Sequence, residues 1–85
     1  MPIPDYSLIP AYTMGAIKRY IDHHIEPGGF LTAVLENNLR EALGRADEFN
    51  NAALFHIAAY LYNEAPADCW GSVEKVERWL EEIPA

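Results

Sequence analysis

Apolar residues recur at helical spacing through almost the whole chain, and they predict four helices. Spacings of three and four residues run through about residues 13–25, 29–43, 47–64 and 72–83, so the apolar side chains of each segment would share one side of a helix. No segment alternates apolar and polar residues as a half-buried strand would. We therefore predict an all-α fold, with residues 1–85 forming a single domain built as a small bundle of four helices.

The limits of the four helices follow from residues that start or stop helices. Thr13, Asp47 and Ser72 each stand at the beginning of a periodic segment, and their side-chain oxygens can cap a helix N-terminus. Pro27 ends the first helix, and Gly44 fits a C-terminal cap for the second. These residues set the limits of the helices but do not indicate any chemistry.

Two segments carry more apolar surface than a small domain would be expected to cover. The predicted third helix has apolar residues on two sides, with Phe49, Ala53, Ile57, Tyr60 and Leu61 on one and Phe55, Ala58, Ala59 and Tyr62 on the other. Three prolines predict an extended arm over residues 1–10, a segment suited to packing on a neighbour. The third helix is either the central helix or half of an oligomer interface, and we predict a homo-oligomer.

Two asparagines occupy positions that helical periodicity assigns to the inner faces. Asn38 falls within the apolar stripe of the second predicted helix, beside Leu35 and Leu39. Asn50 shares a face of the third predicted helix with Ile57 and, farther along, other apolar residues. Because a buried amide needs a hydrogen-bond partner, these two side chains bond each other, a loop or a ligand. They are therefore candidate site residues.

Composition restricts the classes of partner. The 85 residues are 51% hydrophobic and carry 6 Lys and Arg against 13 Asp and Glu, which gives a formal net charge of −7. This sign does not suit the phosphate backbone of double-stranded DNA or RNA. Cys69 is the single cysteine, so no internal disulfide can form, and no apolar run approaches the roughly 20 residues of a membrane span. We expect a soluble protein of the cytosol, with no membrane partner.

The Pro27-Gly28-Gly29 turn and the region around Arg45 are the places where a small anion could bind. Free N–H groups at a helix N-terminus attract an anion, and the two glycines would allow it to approach the backbone. The simpler interpretation is that they only reverse the chain. Arg45 would likewise contact a phosphate or pair with Glu41, four residues earlier.

The remaining polar and aromatic residues give no catalytic set. Asp47 is either a helix cap or a hydrogen-bond partner for a ligand, and Tyr20 and Trp70 could stack on a base or fill the core. His23, His24 and His56 lack the spacing of a metal site, and Cys69 has no neighbouring base. We predict a protein that is not an enzyme and that has no cofactor and no metal.

Three segments together resemble a widespread family of short proteins encoded by bacteriophages and prophages. The segments are YIDHHIEPGGFLTAVLENNLREALGRADEFN, YLYNEAP and CWGSVEKVERWL. Their pattern, PGGFL-x-AVL-x-N-x-L followed by RAD-x-x-N, covers about residues 20–80. The resemblance extends to viral anti-CBASS sponge proteins, which bind cyclic dinucleotides in an oligomer and do not hydrolyse them.

The resemblance implies a viral immune-evasion protein in the cytoplasm of the infected bacterial host, which sequesters a cyclic di- or oligonucleotide signal. The resemblance implies seven candidate ligand-binding residues in this chain. They are Gly28, Gly29, Phe30, Asn38, Arg45, Asp47 and Asn50. The alternative is an acidic phage protein that inhibits a host protein by direct binding, for which the acidic last helix would supply the surface. A structural or accessory module is a third class.

Overall fold

The computed structural model of the protein describes residues 3–82, and all the regular secondary structure in this range is helical. Six α-helices occur in order: α1 (Ala11–His23), α2 (Gly29–Leu35), α3 (Leu39–Arg45), α4 (Glu48–Ala52), α5 (Leu54–Glu64) and α6 (Val73–Glu81). Two 3₁₀ turns, Tyr6–Leu8 and Ala67–Cys69, complete the elements. The all-α prediction is confirmed, but two of the four predicted helices are each split in two. Residues 1 and 2 of the predicted arm and residue 83 of the predicted last helix lie outside the described range.

The predicted helix over residues 29–43 is interrupted by Asn37 and Asn38. Asn37 has a φ of 62°, in the left-handed region that asparagine tolerates, and its N–H donates to the Val34 carbonyl at 3.0 Å. The Asn38 N–H donates to the Ala33 carbonyl at 2.8 Å, which completes a Schellman ending for α2. Asn38 then begins α3, because its side-chain oxygen accepts from the Glu41 N–H at 3.2 Å.

The predicted helix over residues 47–64 is interrupted at Ala53. The Ala53 N–H lies 3.1 Å from the Phe49 carbonyl and 3.2 Å from that of Asn50, so the turn tightens to the three-residue spacing. The Ile57 N–H still donates to the Ala53 carbonyl at 2.9 Å, so α5 follows α4 directly. The chain therefore stays close to helical across the break between α4 and α5.

The predicted caps have mixed outcomes. Asp47 caps α4 and Ser72 caps α6, each accepting a backbone N–H with its side chain. Thr13 is not a cap: α1 begins two residues earlier, after Pro10, whose fixed φ suits a helix start. Gly44 does not end a helix but lies within α3, which continues to Arg45.

The core is organised around Tyr20, which has no exposed surface. Its hydroxyl donates to the Cys69 carbonyl at 2.7 Å, and its own carbonyl accepts from Trp79 Nε1 at 2.8 Å. These two bonds join α1 to the 3₁₀ turn before α6 and to α6 itself. The other large side chains that are fully buried are Ile17, Leu35, Ile57, Leu61, Val76 and Cys69.

The N-terminal segment packs against its own chain. After residues 3–5, the turn Tyr6–Leu8 places the Tyr6 ring edge-on against Tyr60, with ring centroids 5.1 Å apart. The Asp5 N–H donates to His56 Nδ1 at 3.0 Å. The prediction of an extended arm is therefore wrong for residues 6–8, where a 3₁₀ turn brings the Tyr6 ring against Tyr60.

Candidate functional site

Seven of the nine predicted site residues lie around one point, the N-terminus of α2. Two adjoining cavities share Gly29: one of about 290 Å³ is also lined by Asn38 and Arg45, and one of about 220 Å³ by Gly28, Phe30 and Asn50. Asp47 joins the group through a hydrogen bond from Tyr12, which lines the smaller cavity. We call these two cavities the Gly29 site.

Arg45 lies across the backbone of Gly29. A Cβ atom at position 29 would come within 2.9 Å of Arg45 Nη1, closer than atoms normally approach. The Arg45 Nε donates to Glu41 Oε2 at 3.1 Å, so the predicted pairing of these two residues is confirmed. Glycine at position 29 therefore leaves the space in which the guanidinium rests, between α3 and the start of α2.

The larger cavity is acidic in spite of Arg45. Glu26, Glu36 and Glu41 line it together with the single guanidinium, and Arg45 is already paired with one of the three. Opposite charges at this distance offset each other, which leaves an excess of negative charge in the cavity. A cationic group is therefore a better electrostatic match for this cavity than a phosphate is.

The smaller cavity is bounded by a buried polar pair. Thr13 Oγ1 donates to Asn50 Oδ1 at 2.6 Å, with both residues buried. Asn50 was predicted to be buried with a partner, and its partner is the α1 hydroxyl, neither Asn38 nor a loop carbonyl. The amide thus joins α1 to α4 beside the Gly29 site.

Asp47 is held by two donors. The Tyr12 hydroxyl donates to its carboxylate, and the Asn50 N–H donates to Oδ1 at 2.7 Å. These bonds favour the ionised form and lower the pKa of Asp47, while the carboxylate raises the pKa of Tyr12. A ligand that used Asp47 would have to compete with Tyr12 for it.

Two of the predicted site residues, Tyr20 and Trp70, lie away from the Gly29 site. The prediction that Asn38 lies inside an apolar stripe is wrong. Tyr20 is completely buried and its hydroxyl is bonded, so it has no face to stack on a base. Trp70 lies in a separate groove with Phe55 and Tyr62. Asn38 is exposed and caps α3, so it is not an amide inside an apolar stripe.

Sequence reasoning missed Tyr12, Thr13, Glu26 and Glu36 as parts of the site. The first two belong to α1, and no local signal relates them to residues 35 or 37 positions farther along the chain. Glu26 and Glu36 flank α2 on both sides, and a count of carboxylates near the Pro-Gly-Gly turn could have indicated an acidic site.

Comparison with protein-family models, curated proteins and solved structures finds no match for the chain. Over residues 3–82 no three His, Cys, Asp or Glu side chains are grouped as metal ligands require. Within the same range no helix has both the length and the apolar character needed to cross a membrane. Fold and site together define a small, acidic, all-helical protein with a surface site at the start of α2.

The Thr13–Asn50 pair yields a stability prediction. Thr13→Val should lower the free energy of unfolding by about 1–3 kcal/mol, because the buried Asn50 oxygen loses its donor. Urea unfolding followed by circular dichroism measures this loss. Ser at position 13 keeps the hydroxyl and is the matched control, expected to retain more stability than Val. Equal losses in the two variants would mean that the hydrogen bond contributes nothing.

Proposed function

We propose that the protein acts by binding another protein through an acidic surface, and that it inhibits a host protein in this way. The observation that carries the proposal is the excess of carboxylates in the larger cavity of the Gly29 site. A Lys or Arg side chain of a partner would be attracted there, and complementary charge also speeds association. On this proposal the protein is an acidic phage protein acting in the cytoplasm of an infected bacterium.

A second acidic surface lies on α6. Glu74, Glu77 and Glu81 are exposed at spacings of three and four residues, and Glu82 follows at the end of the helix. The sequence predicts that this helix would be the binding surface if the protein were an acidic inhibitor of a host protein. It differs from the Gly29 site because it is a convex helix surface and not a cavity. The two surfaces can therefore be tested against each other.

The test compares two variants with equal changes of charge. One replaces Glu26, Glu36 and Glu41 with Gln, and the matched control replaces Glu74, Glu77 and Glu81 with Gln. Wild type and both variants are immobilised and exposed to lysate of the bacterial host at low and high salt. We expect wild type and the α6 variant to retain the same partner at low salt and the Gly29-site variant to lose most of it.

High salt should release that partner, because screening weakens attraction between exposed charges. A partner retained equally by both variants, or one that resists high salt, would contradict the proposal. Loss in the α6 variant alone would transfer the function to that helix. Circular dichroism of the three proteins shows that each comparison is made between folded proteins.

The second candidate function is that of a viral immune-evasion protein that binds and sequesters a cyclic di- or oligonucleotide without hydrolysing it. It is favoured by the grouping of seven predicted residues around Gly29, with Phe30 and Tyr12 lining the smaller cavity together with the two glycines. In this function a phosphate would displace Glu41 from Arg45, and the bases would contact the two rings. No catalytic step and no cofactor is needed.

Thermal unfolding with a panel of cyclic di- and trinucleotides tests the second function. A ligand that binds only the folded state adds about 2.7 kcal/mol of stability at about 100 times its dissociation constant. Arg45→Glu should abolish the shift, whereas Arg40→Glu, the same change of charge on the same helix, should preserve it. A panel without any shift would exclude this function, as would equal shifts in both variants.

The hydrophobic content and the exposed apolar side chains also support self-association. Ten large apolar residues in the described range are exposed, among them Leu39, Phe49 and Tyr62, at 62%, 63% and 80%. A small chain with this much uncovered apolar surface gains stability by burying it in an oligomer. We propose that the functional unit is a homo-oligomer.

A further inference from the structure

The outward face of α5 forms a continuous apolar groove. A cavity of about 430 Å³ is lined by Phe55, Ala59 and Tyr62, and an adjoining one of about 100 Å³ by Leu39. The two cavities share Ala58 and Trp70, so they are parts of one surface. We define the α5 groove by these six residues: Leu39, Phe55, Ala58, Ala59, Tyr62 and Trp70.

The opposite side of α5 is already used by the core. Ile57 and Leu61 have no exposed surface, and they pack inward. Phe55 and Tyr62, by contrast, are 43% and 80% exposed. The α5 helix thus has one apolar face covered by its own chain and a second that residues 3–82 leave largely exposed.

No charged side chain of the described residues lines the α5 groove. Among residues 3–82, the lining of both cavities apart from the apolar residues consists of the neutral amides of Asn37, Asn38 and Asn63. This absence is informative because the whole chain carries a net charge of −7. A basic partner would be attracted to carboxylates, which lie elsewhere, whereas two acidic copies can approach each other only where carboxylates are missing.

The side chains along α5 form a pattern that reads the same in both directions. Phe55, Ala58, Ala59 and Tyr62 follow the order aromatic, alanine, alanine, aromatic, with steps of three, one and three residues. An interface with a twofold axis must be complementary to itself. An antiparallel pair of α5 helices, with its axis between the two alanines, meets this condition because the alanines allow close approach of the two helices. Phe55 then lies beside Tyr62 of the partner subunit.

The exposed apolar area is close to what a dimer requires. If a large apolar side chain exposes about 200 Å² in full, the exposed parts of Leu39, Phe55 and Tyr62 supply roughly 370 Å². A stable interface buries about 800 Å² on each partner, somewhat more than half of it apolar. Trp70, the two alanines and the arm residue Pro4 are each partly exposed and add to this area.

We infer that the α5 groove is the interface of a twofold-symmetric dimer in which two α5 helices pack antiparallel across Ala58 and Ala59. This inference deepens the self-association proposed above and is independent of the proposed basic partner. The occupant of the groove is a second copy of this chain. The acidic Gly29 site is left for a different molecule.

Sedimentation velocity over a hundredfold range of protein concentration tests the interface. Ala58→Glu should weaken self-association by at least about 100-fold, because it would bury an unpaired carboxylate between the copies. The matched control is Ala52→Glu on α4, an exposed alanine in a different cavity with Phe49 and Tyr12. This control should associate like wild type. Tyr62→Ser, at a highly exposed position, repeats the test if Ala58→Glu does not fold.

Each outcome decides a different point. A wild-type protein that is monomeric at every concentration overturns both the interface and the proposed self-association. Association that persists in Ala58→Glu and in Tyr62→Ser overturns the interface alone. Dissociation by Ala52→Glu instead would assign the dimer to the cavity beside Phe49, and would also overturn the α5 assignment.

Disulfide cross-linking tests the antiparallel direction. In the inferred dimer the two copies of residue 62 are about 10 Å apart along the helix axis, too far for a disulfide, and so are the two copies of residue 55. An equimolar mixture of Phe55→Cys and Tyr62→Cys should therefore form a mixed disulfide dimer under oxidising conditions, and each variant alone should not. Cross-linking of either variant with itself would contradict the antiparallel arrangement. The native thiol of Cys69 is buried and does not compete.

Discussion

Tyr20→Ala is expected to remove about 4–5 kcal/mol from the free energy of unfolding. Truncation of a buried aromatic side chain to alanine costs about 3–5 kcal/mol. The variant also leaves the buried Cys69 carbonyl without its donor, which adds to the loss. A chain of this length has a total stability on the order of 5–10 kcal/mol, so roughly 40% or more of it would be lost. Urea unfolding followed by far-ultraviolet circular dichroism measures the effect.

Tyr20→Phe is the control that separates packing from the hydrogen bond. It retains the ring in the core and removes only the hydroxyl, so we expect a loss of about 1–2 kcal/mol. A loss below about 2 kcal/mol in Tyr20→Ala would show that Tyr20 is not central to the core. If Tyr20 stacked on a ligand, the alanine variant would instead retain stability and lose binding.

The second large effect is a loss of stability at alkaline pH. Burial raises the pKa of the Cys69 thiol from its ordinary 9.0 to about 11. Between these two values the unfolded chain loses the thiol proton and the folded chain keeps it, so the free energy of unfolding falls as the pH rises. The fall is about 1.4 kcal/mol for each pH unit, or roughly 2–3 kcal/mol by pH 11.

Tyr20 adds to this loss above pH 10. Burial also raises the pKa of its hydroxyl well above the ordinary 10.0, so the folded state again keeps a proton that the unfolded state releases. Cys69→Ala separates the two groups, because between pH 9 and 10 only the thiol contributes strongly. Urea midpoints measured at intervals of pH should fall less steeply in the variant over that interval. Equal slopes in the two proteins would exclude the thiol as the cause.

The broken second helix shows where periodicity misleads. Leu35 and Leu39 are four residues apart, so they fit one continuous helix, and nothing in their spacing reveals the break between them. The information lies in the paired asparagines, since Asn37 can adopt the left-handed conformation that ends α2 and Asn38 can cap α3. Polar residues at apolar positions can thus indicate a change of direction instead of a buried amide.

The candidate site was only partly predictable for a different reason. Gly29 and Arg45 are brought together by the turn between α2 and α3, and the sequence predicts both as site residues. The Thr13 hydroxyl that bonds Asn50 lies 37 residues away, and such a pairing depends on how α1 packs on α4. Helix patterns give the inward face of each helix, but they do not say which partner each face will meet.

The complete burial of Cys69 makes the protein its own reporter of conformational opening. Because the sequence has a single cysteine and its side chain has no exposed surface, a thiol-labelling reagent can react only with molecules in which the turn at Ala67–Cys69 has separated from α1 and α6. The ratio of the labelling rate to that of a free thiol gives the population of this open state. Transient opening of the core can therefore be followed by thiol labelling of the unmodified chain, with no probe introduced.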